Sequence, residues 1–342
     1  MTPVAILGAG MVTGVGLSAA ASCAAIRVGL TGFVETRFMF DGEWLIGCPV
    51  SLEHPWRGRE KALRMLSSAI GECLGSALGL ATDDLPLLLC VAEPTRPGRL
   101  DGLDESLLDD VQQRCGCRFH PWSQVFASGR IAGLEALDRA RQLIVDGVRG
   151  CVIAAVDTLL VGSTLADYEK RRRLLTASNS DGFLPGEAGA AVLVSSPGDG
   201  RTAELRCLGV GYGVEEATIE SGLPFRADGM TQAFGAAIAD AGVAWSDVDY
   251  QLSALTGEQY AFKESALCVA RSVRPVKHGF DLWHPSDCIG EVGAAIGPCL
   301  LAVALTAARK GYAPGQGVIC HAANDDGRRV AAVLRWTSPG AS

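Results

Sequence analysis

Short apolar runs alternate with stretches of helical periodicity along this chain, and the alternation starts again past its midpoint. Val4–Leu7, Leu85–Ala92, Cys151–Val156 and Gly189–Val194 read as buried strands, and Ser123–Ala127 as a strand. Arg59–Leu78 carries Leu63, Leu66, Ile70, Leu74 and Leu78 at helical spacing. Gly129–Val145 does the same with Ile131, Leu134, Leu137, Arg141 and Ile144. Between them, Asp101–Asp110 reads as an acidic loop ending in one helical turn. Ser195–Gly200 (SSPGDG) is the best linker in the sequence. Beyond it, Glu204–Tyr212, Val248–Leu252, Val318–His321 and Val330–Leu334 read as strands, and Thr231–Ala241 and Gly293–Arg309 as helices. Such alternation specifies an α/β fold whose buried sheets are covered by helices. The repeat predicts two halves, 1–198 and 199–342, packed as one unit, with divergent duplication as the hypothesis.

Composition narrows the function classes. With 342 residues, 48% of them hydrophobic, the chain can build its core without disulfides or metals. A net charge of -8 argues against a general nucleic-acid binder. The 12 cysteines mostly sit inside apolar runs, such as those around Cys90 and Cys320, where they act as small hydrophobes. The start MTPVAILGAG lacks the basic region of a secretory signal. The longest apolar stretch, Gly293–Ala308, contains Pro298 and falls short of the about 20 residues a membrane span needs. A soluble, cytoplasmic protein without membrane contact is expected.

GAGMVTGVG (Gly8–Gly16) invites a dinucleotide reading, but Thr13 stands where G-x-G-x-x-G requires its third glycine. Gly10, Gly14 and Gly16 fit the short-chain dehydrogenase spacing, yet no tyrosine is followed four residues on by lysine; Tyr168 has Arg172 instead. A glycine-rich turn between strand and helix is the preferred reading, and no cofactor is expected.

Five segments, in order, resemble the β-ketoacyl synthases of the condensing-enzyme type. ILGAGMVTGVG (Ile6–Gly16) is similar to that family's TGLGxVTPLG. SDGFLPGEAGAAVLV (Ser180–Val194) is similar to DGFVxGEGAGxLVL and is the most specific match. Phe126–Ala155 resembles the nucleophile segment CASGxxAI and the helix after it. Ala236–Tyr250 resembles the lead-in to the first catalytic histidine, and GEVGAAIG (Gly290–Gly297) resembles GHxxGAAG with one residue missing. The resemblance covers nearly the whole chain. It implies a thiolase-like fold, two duplicated α/β halves in a layered α-β-α-β-α arrangement, and pairing of the nucleophile strands across a two-fold axis.

The departures fall on the chemistry. In the family a cysteine thiolate takes the acyl group, activated at a helix N-terminus. Aligning Ala127-Ser128-Gly129 puts Phe126 at that position. Ala254 takes the place of the first histidine, with Thr256 and Gly257 retained, and Glu291 takes the place of the second. The C-terminal glycine-rich element becomes Cys320–Asn324, so the resemblance implies loss of the element that supplies backbone donors near the thioester oxygen. No catalytic residue is therefore expected, and Phe126 is expected to plug the acyl tunnel. Phe126, Ser128, Thr256, Glu291 and Asn324 are the candidate pocket residues. Glu187, with Gly186, carries the family's structural role of holding loops near the site.

His284, Cys288 and Glu291 are spaced for one helical face, but Pro285 and Gly290 favour a loop of capping residues. Glu291 reads as the N-terminal cap of the helix that follows. Cys320 and His321 are adjacent in a strand, so they face opposite sides and His321 reads as structural. Cys115-Gly116-Cys117 has no second pair at zinc spacing, so no metal is expected. His54 and His120 belong to surface loops, and Lys170–Arg173 reads as a solvated loop or helix face, with a docking patch for an acidic partner as the lesser reading.

These readings converge on a catalytically inactive synthase-like protein. It would be a scaffold, partner subunit or accessory protein, resembling either chain-length factors or accessory factors of bacterial effector-delivery loci. The expected partner is a protein, met as a homodimer or heterodimer through the thiolase-type interface. The alternatives are an acyl-thioester decarboxylase or hydrolase using Glu291, and a non-catalytic acyl or pantetheine binding module.

Overall fold

The computed structural model describes residues 2–76, 79–198, 200–273, 277 and 279–338. Leu78 and Asp199, used above for a helix and the linker, lie outside them. The first half runs β1 (Val4–Val12), α1 (Ala19–Arg27), β2 (Val34–Phe40), β3 (Glu43–Gly47), α2 (Gly58–Leu74) and β4 (Leu87–Cys90). It continues through α3 (Glu105–Cys115), β5 (Gln124–Phe126), α4 (Ala132–Val145), β6 (Gly150–Thr158), α5 (Gly162–Lys170) and β7 (Glu187–Ser195). The second half runs β8 (Glu204–Val214), α6 (Asp228–Ala241), β9 (Tyr250–Ser253), α7 (Gln259–Ser272) and β10 (Asp281–Trp283). It closes with α8 (Ser286–Ile289), α9 (Ile296–Arg309), β11 (Gly317–Ala323) and β12 (Arg328–Thr337).

Apart from the β2–β3 hairpin, the strands form one sheet of order β10-β9-β11-β12-β8-β1-β7-β6-β4-β5. Counted outward from the β1–β8 junction, both halves have the same pattern. Two antiparallel pairings come first (β1·β7 and β7·β6; β8·β12 and β12·β11), then two parallel ones (β6·β4 and β4·β5; β11·β9 and β9·β10). The halves join through the antiparallel residues Val4–Ile6 and Leu205–Cys207.

Strand alternation sets the layers, because successive side chains point to opposite faces. In β4 and β6, Leu88, Cys90, Cys151, Ile153 and Ala155 enter a central core with α1, α4 and α9. Their neighbours Leu87, Leu89, Val152 and Ala154 pack outward beneath α2 and α3. In β11 and β12, Val318, Cys320, Val330 and Ala332 face the same central core, while Ile319, Ala331 and Val333 pack beneath α6 and α7. The order from outside to outside is therefore helix, one half of the sheet, helix, the other half of the sheet, helix.

Several expectations change in detail. The stretch expected as an acidic loop holds α3: Asp104 accepts from Ser106 N (2.9 Å) at its start, and Gly116, with φ +64°, ends it. The helix expected over residues 59–78 ends at Leu74. The two helices expected from Gly129 and Gly293 each begin with a 3-10 turn, Gly129–Ile131 and Gly293–Ala295.

Candidate functional site

Both 3-10 turns follow the terminal parallel strand of their half and start with a glycine in the left-handed region, Gly129 at φ +61° and Gly293 at φ +54°. A carboxylate presses on each. A Cβ added to Gly129 would lie 2.5 Å from Glu93 Oε2, and one added to Gly293 would lie 2.0 Å from Asp157 Oδ2. Arg96 joins the two acids, at 2.7 Å from Glu93 and 2.6 Å from Asp157. Asp157 also accepts from Ala294 N (2.8 Å), and Glu291 accepts from Gly293 N (2.7 Å). The start of α9 is thus capped by two carboxylates, which offset the positive end of its dipole.

Arg130 is the hub between the halves. Its guanidinium pairs with Asp325 and lies 3.4 Å from Glu291. Asp325 also receives Arg173 (3.1 Å) and Arg171 (3.4 Å), and Arg173 makes a two-point contact with Glu258, one arm at 2.8 Å. Asn324 Nδ2 donates to Ser128 O (2.7 Å), which ties β11 to the turn before α4.

The electrostatics follow from burial and pairing. Burial alone would raise the Asp325 carboxyl, but Arg130 and Arg173 outweigh it and hold the group well below the usual carboxylate range. Glu291 goes the other way: burial raises it, and Arg130 with the Gly293 N–H only partly opposes. Burial lowers His321 to about 3, so the ring is neutral. It stacks edge-on against Phe234 of α6, while Cys320 enters the central core.

Two cavities meet at this network. One, of about 140 Å³, is lined by Glu93, Arg96, Arg130, Tyr168, Glu291 and Asp325, among others. The other, of about 40 Å³, takes Ala254, Thr256, Glu258 and His321 into its wall and shares Arg130, Asn324 and Asp325 with the first. Glu291, Asn324 and Thr256 are thus brought to one place, and Ser128 borders it through Asn324. Ala254 N donates to His321 O (3.0 Å) at the smaller chamber.

Phe126 does not plug this space. It is half-buried, packs on the central core and lines neither cavity; charged side chains line the crevice instead. The basic run also differs from expectation. Arg172 adopts φ +56° after α5, and the chain reversal sends Arg171 and Arg173 inward, leaving Arg173 only 5% exposed. His284, Cys288 and Glu291 share no face: His284 lies beside Asp287 (3.0 Å), Cys288 is buried near Cys48, and Glu291 turns toward Arg130. Glu187 accepts from Val50 N and Thr158 Oγ (both 2.9 Å) and pairs with Lys61, and Gly186 N donates to Glu291 O (2.8 Å). The glycines of GAGMVTGVG begin inside β1, not in a phosphate loop; Gly10 packs directly under the Ala69 backbone of α2.

Arg96, Arg130, Asp157, Glu258 and Asp325 escaped the sequence reading. Arg130 and Asp325 are 195 residues apart, and no local spacing pairs them. Among the described residues, no group of three or more His, Cys, Asp or Glu side chains could hold a metal ion, and no helix is long and apolar enough to cross a membrane.

No protein-family model matches the chain, and no curated protein matches it. Solved structures do. A type II polyketide synthase acyl-carrier protein in complex with its ketosynthase bound to the hexaketide is similar at TM-score 0.81 and 15% identity, over 98% of this chain and 99% of that one. The ishigamide ketosynthase/chain length factor is similar at TM-score 0.76 and 16% identity, over 98% and 99%. A β-ketoacyl synthase from Burkholderia phymatum STM815 gives TM-score 0.73 and 16% identity, also over 98% and 99%. The chain has the thiolase-like fold of the ketosynthases.

Proposed function

We propose that this chain is a non-condensing protein of the ketosynthase fold that serves as a partner subunit or scaffold, its halves 1–198 and 199–342 packed as one unit. The carrying observation is Arg130, clamped between Glu291 and Asp325 in the strand-end crevice where the fold's thioester chemistry would take place. Acyl transfer needs a thiolate with access to substrate. The cysteine paired with Phe126 is Cys90 on β4, and burial drives its thiol up, away from the thiolate. No catalytic residue and no cofactor are assigned.

A protein partner is supported from two sides. Structurally similar chains are a ketosynthase with its carrier protein and one with its chain length factor. In this chain β5 ends the sheet, its outer edge has no partner among the described strands, and Trp122 beside it is 50% exposed. An open edge of this kind recruits another strand. The reading is a homodimer or heterodimer across β5, in a bacterial cytoplasm, of chain-length-factor or effector-delivery accessory type.

Malonyl- and acyl-carrier thioesters should leave the purified protein without an acyl adduct by intact mass and without turnover. Native mass spectrometry should show a protein complex that Trp122→Glu weakens. One observation favours a second reading: Glu291 is raised by burial and lines the 140 Å³ cavity, as a general acid would. Thioester turnover that disappears in Glu291→Gln would establish that enzyme instead.

A further inference from the structure

Of the twelve free cysteines, ten are buried, and only Cys115 and Cys117 are half-buried. They flank Gly116 in the C-G-C unit that closes α3. Cys117 N donates to Gln112 O (3.2 Å) and Gly116 N to Gln113 O (3.3 Å). These are the paired bonds of a Schellman cap, with Gly116 left-handed at φ +64°. The cap sets the spacing of the two cysteines. Two Cα steps of about 3.8 Å, folded at a left-handed residue, leave their Cα atoms about 5.5 Å apart, inside the span that a disulfide bridges.

Both side chains pack against the apolar cluster beneath α2 and α3, so they turn to the same side of the cap. Cys117 also lines an open groove of about 670 Å³, together with Gln112, Gln113 and Phe119. A groove of that size admits a small molecule to the thiol. Burial raises both thiols, and the neighbouring Cys117 adds to the effect at Cys115. Little thiolate is therefore present at neutral pH, and the pair reacts slowly. Its equilibrium with an exchange partner, not its rate, is the property that the geometry governs.

We propose that Cys115 and Cys117 form a dithiol–disulfide couple that exchanges with a low-molecular-weight disulfide. Cys117, on the groove, attacks the small disulfide as a thiolate, and one half leaves as a thiol. Cys115 then displaces the other half from the mixed disulfide and closes the ring. The two cysteines give up two electrons and two protons, and the small disulfide takes them up as two thiols. A ring closed through a single glycine is strained, so it is more easily reduced than a structural disulfide. The pair therefore stays as thiols in reducing surroundings and closes as they turn oxidising. It shares no residue with the Arg130 network and does not depend on the partner-subunit reading.

The test equilibrates the full chain with graded ratios of reduced to oxidised glutathione. Acid quenching, alkylation in denaturant, intact mass and peptide mapping then read the thiol state. As the ratio turns oxidising, the natural chain should lose two hydrogens, with the internal disulfide in the peptide that holds both cysteines. Return to reduced glutathione should restore both thiols. Cys115→Ser, at a half-buried position, cannot close the ring and should instead retain one glutathione on Cys117. A natural chain that stays fully alkylated across the series, carries only glutathione adducts, or joins either cysteine to a different one would overturn the proposal.

Discussion

Gly133 and Gly297 touch where α4 crosses α9: a Cβ placed on either would sit 2.8 Å from the Cα of the other. Each lies four residues after the glycine that opens its 3-10 turn, so the contact joins equivalent points of the two halves. Alanine at Gly297 gains about 1 kcal/mol of helix propensity, but forcing the helices apart costs about 1–3 kcal/mol. Gly297→Ala is expected to destabilise by about 1 kcal/mol and Gly133→Leu by about 3 kcal/mol. Urea midpoints at unchanged m-value measure both.

Arg130→Met removes the only ion-pair partner of Glu291 among the described residues and leaves Asp325 to Arg173 and Arg171, and breaking one side of a buried ion pair costs about 3 kcal/mol. Glu291→Gln is the informative companion. Burial already disfavours its charge, and the amide oxygen can still accept from Gly293 N, so its cost at pH 7 should stay within about 1 kcal/mol. The double variant should be more stable than Arg130→Met alone, because one stranded carboxylate is gone. A double variant less stable than either single would contradict the network.

Burial lowers His321 to about 3, whereas an unfolded histidine titrates near 6.5. Between those values the unfolded chain binds the extra proton, so stability rises with pH across that window. Its contribution is complete above about pH 6.5 and is lost as pH falls toward 3. From pH 6.5 to 5 the loss should be on the order of 2 kcal/mol. Denaturation at the two pH values should show it in the natural chain and a much flatter dependence in His321→Leu. Asp325, held low by Arg130 and Arg173 against its burial, adds a separate loss only below about pH 4.

Phe126→Cys should not create a synthase. The new thiol would stand beside a crevice lined by Arg130 and its acids, and the sequence resemblance puts Ala254 and Glu291, neither of them a histidine, at the two assisting positions. Product analysis with malonyl and acyl thioesters should find no condensation. A β-ketoacyl product from this single substitution would show that those two positions are misassigned.

The α/β class and most of the central strands were legible because buried β6 and β7 read as unbroken apolar runs and α4 has a clear apolar face. α5, α7, β10 and the β2–β3 hairpin were missed, and α8 lies where a loop was expected. The hairpin exposes Trp44 and Ile46 and so lacks a clean alternation, and β10 is only three residues long. At the site, Glu291 was legible as a helix cap because its partner is two residues away. Arg173 was not, because the acids that draw it inward, Glu258 and Asp325, come from the other half of the chain. A run of four cations reads as solvated until the fold supplies its counter-charges.

The central layer belongs to neither half. α4 is contributed by one and α9 by the other, and each sheet buries its inner face only because both are present. A chain severed between β7 and β8 would yield two fragments, each with one greasy face and no means of hiding it alone. Either fragment should be insoluble by itself, while the two made together should reassemble without a peptide bond between them. That outcome would make the apparent tandem repeat, in folding terms, a single cooperative object with its subunit interface sewn into the middle.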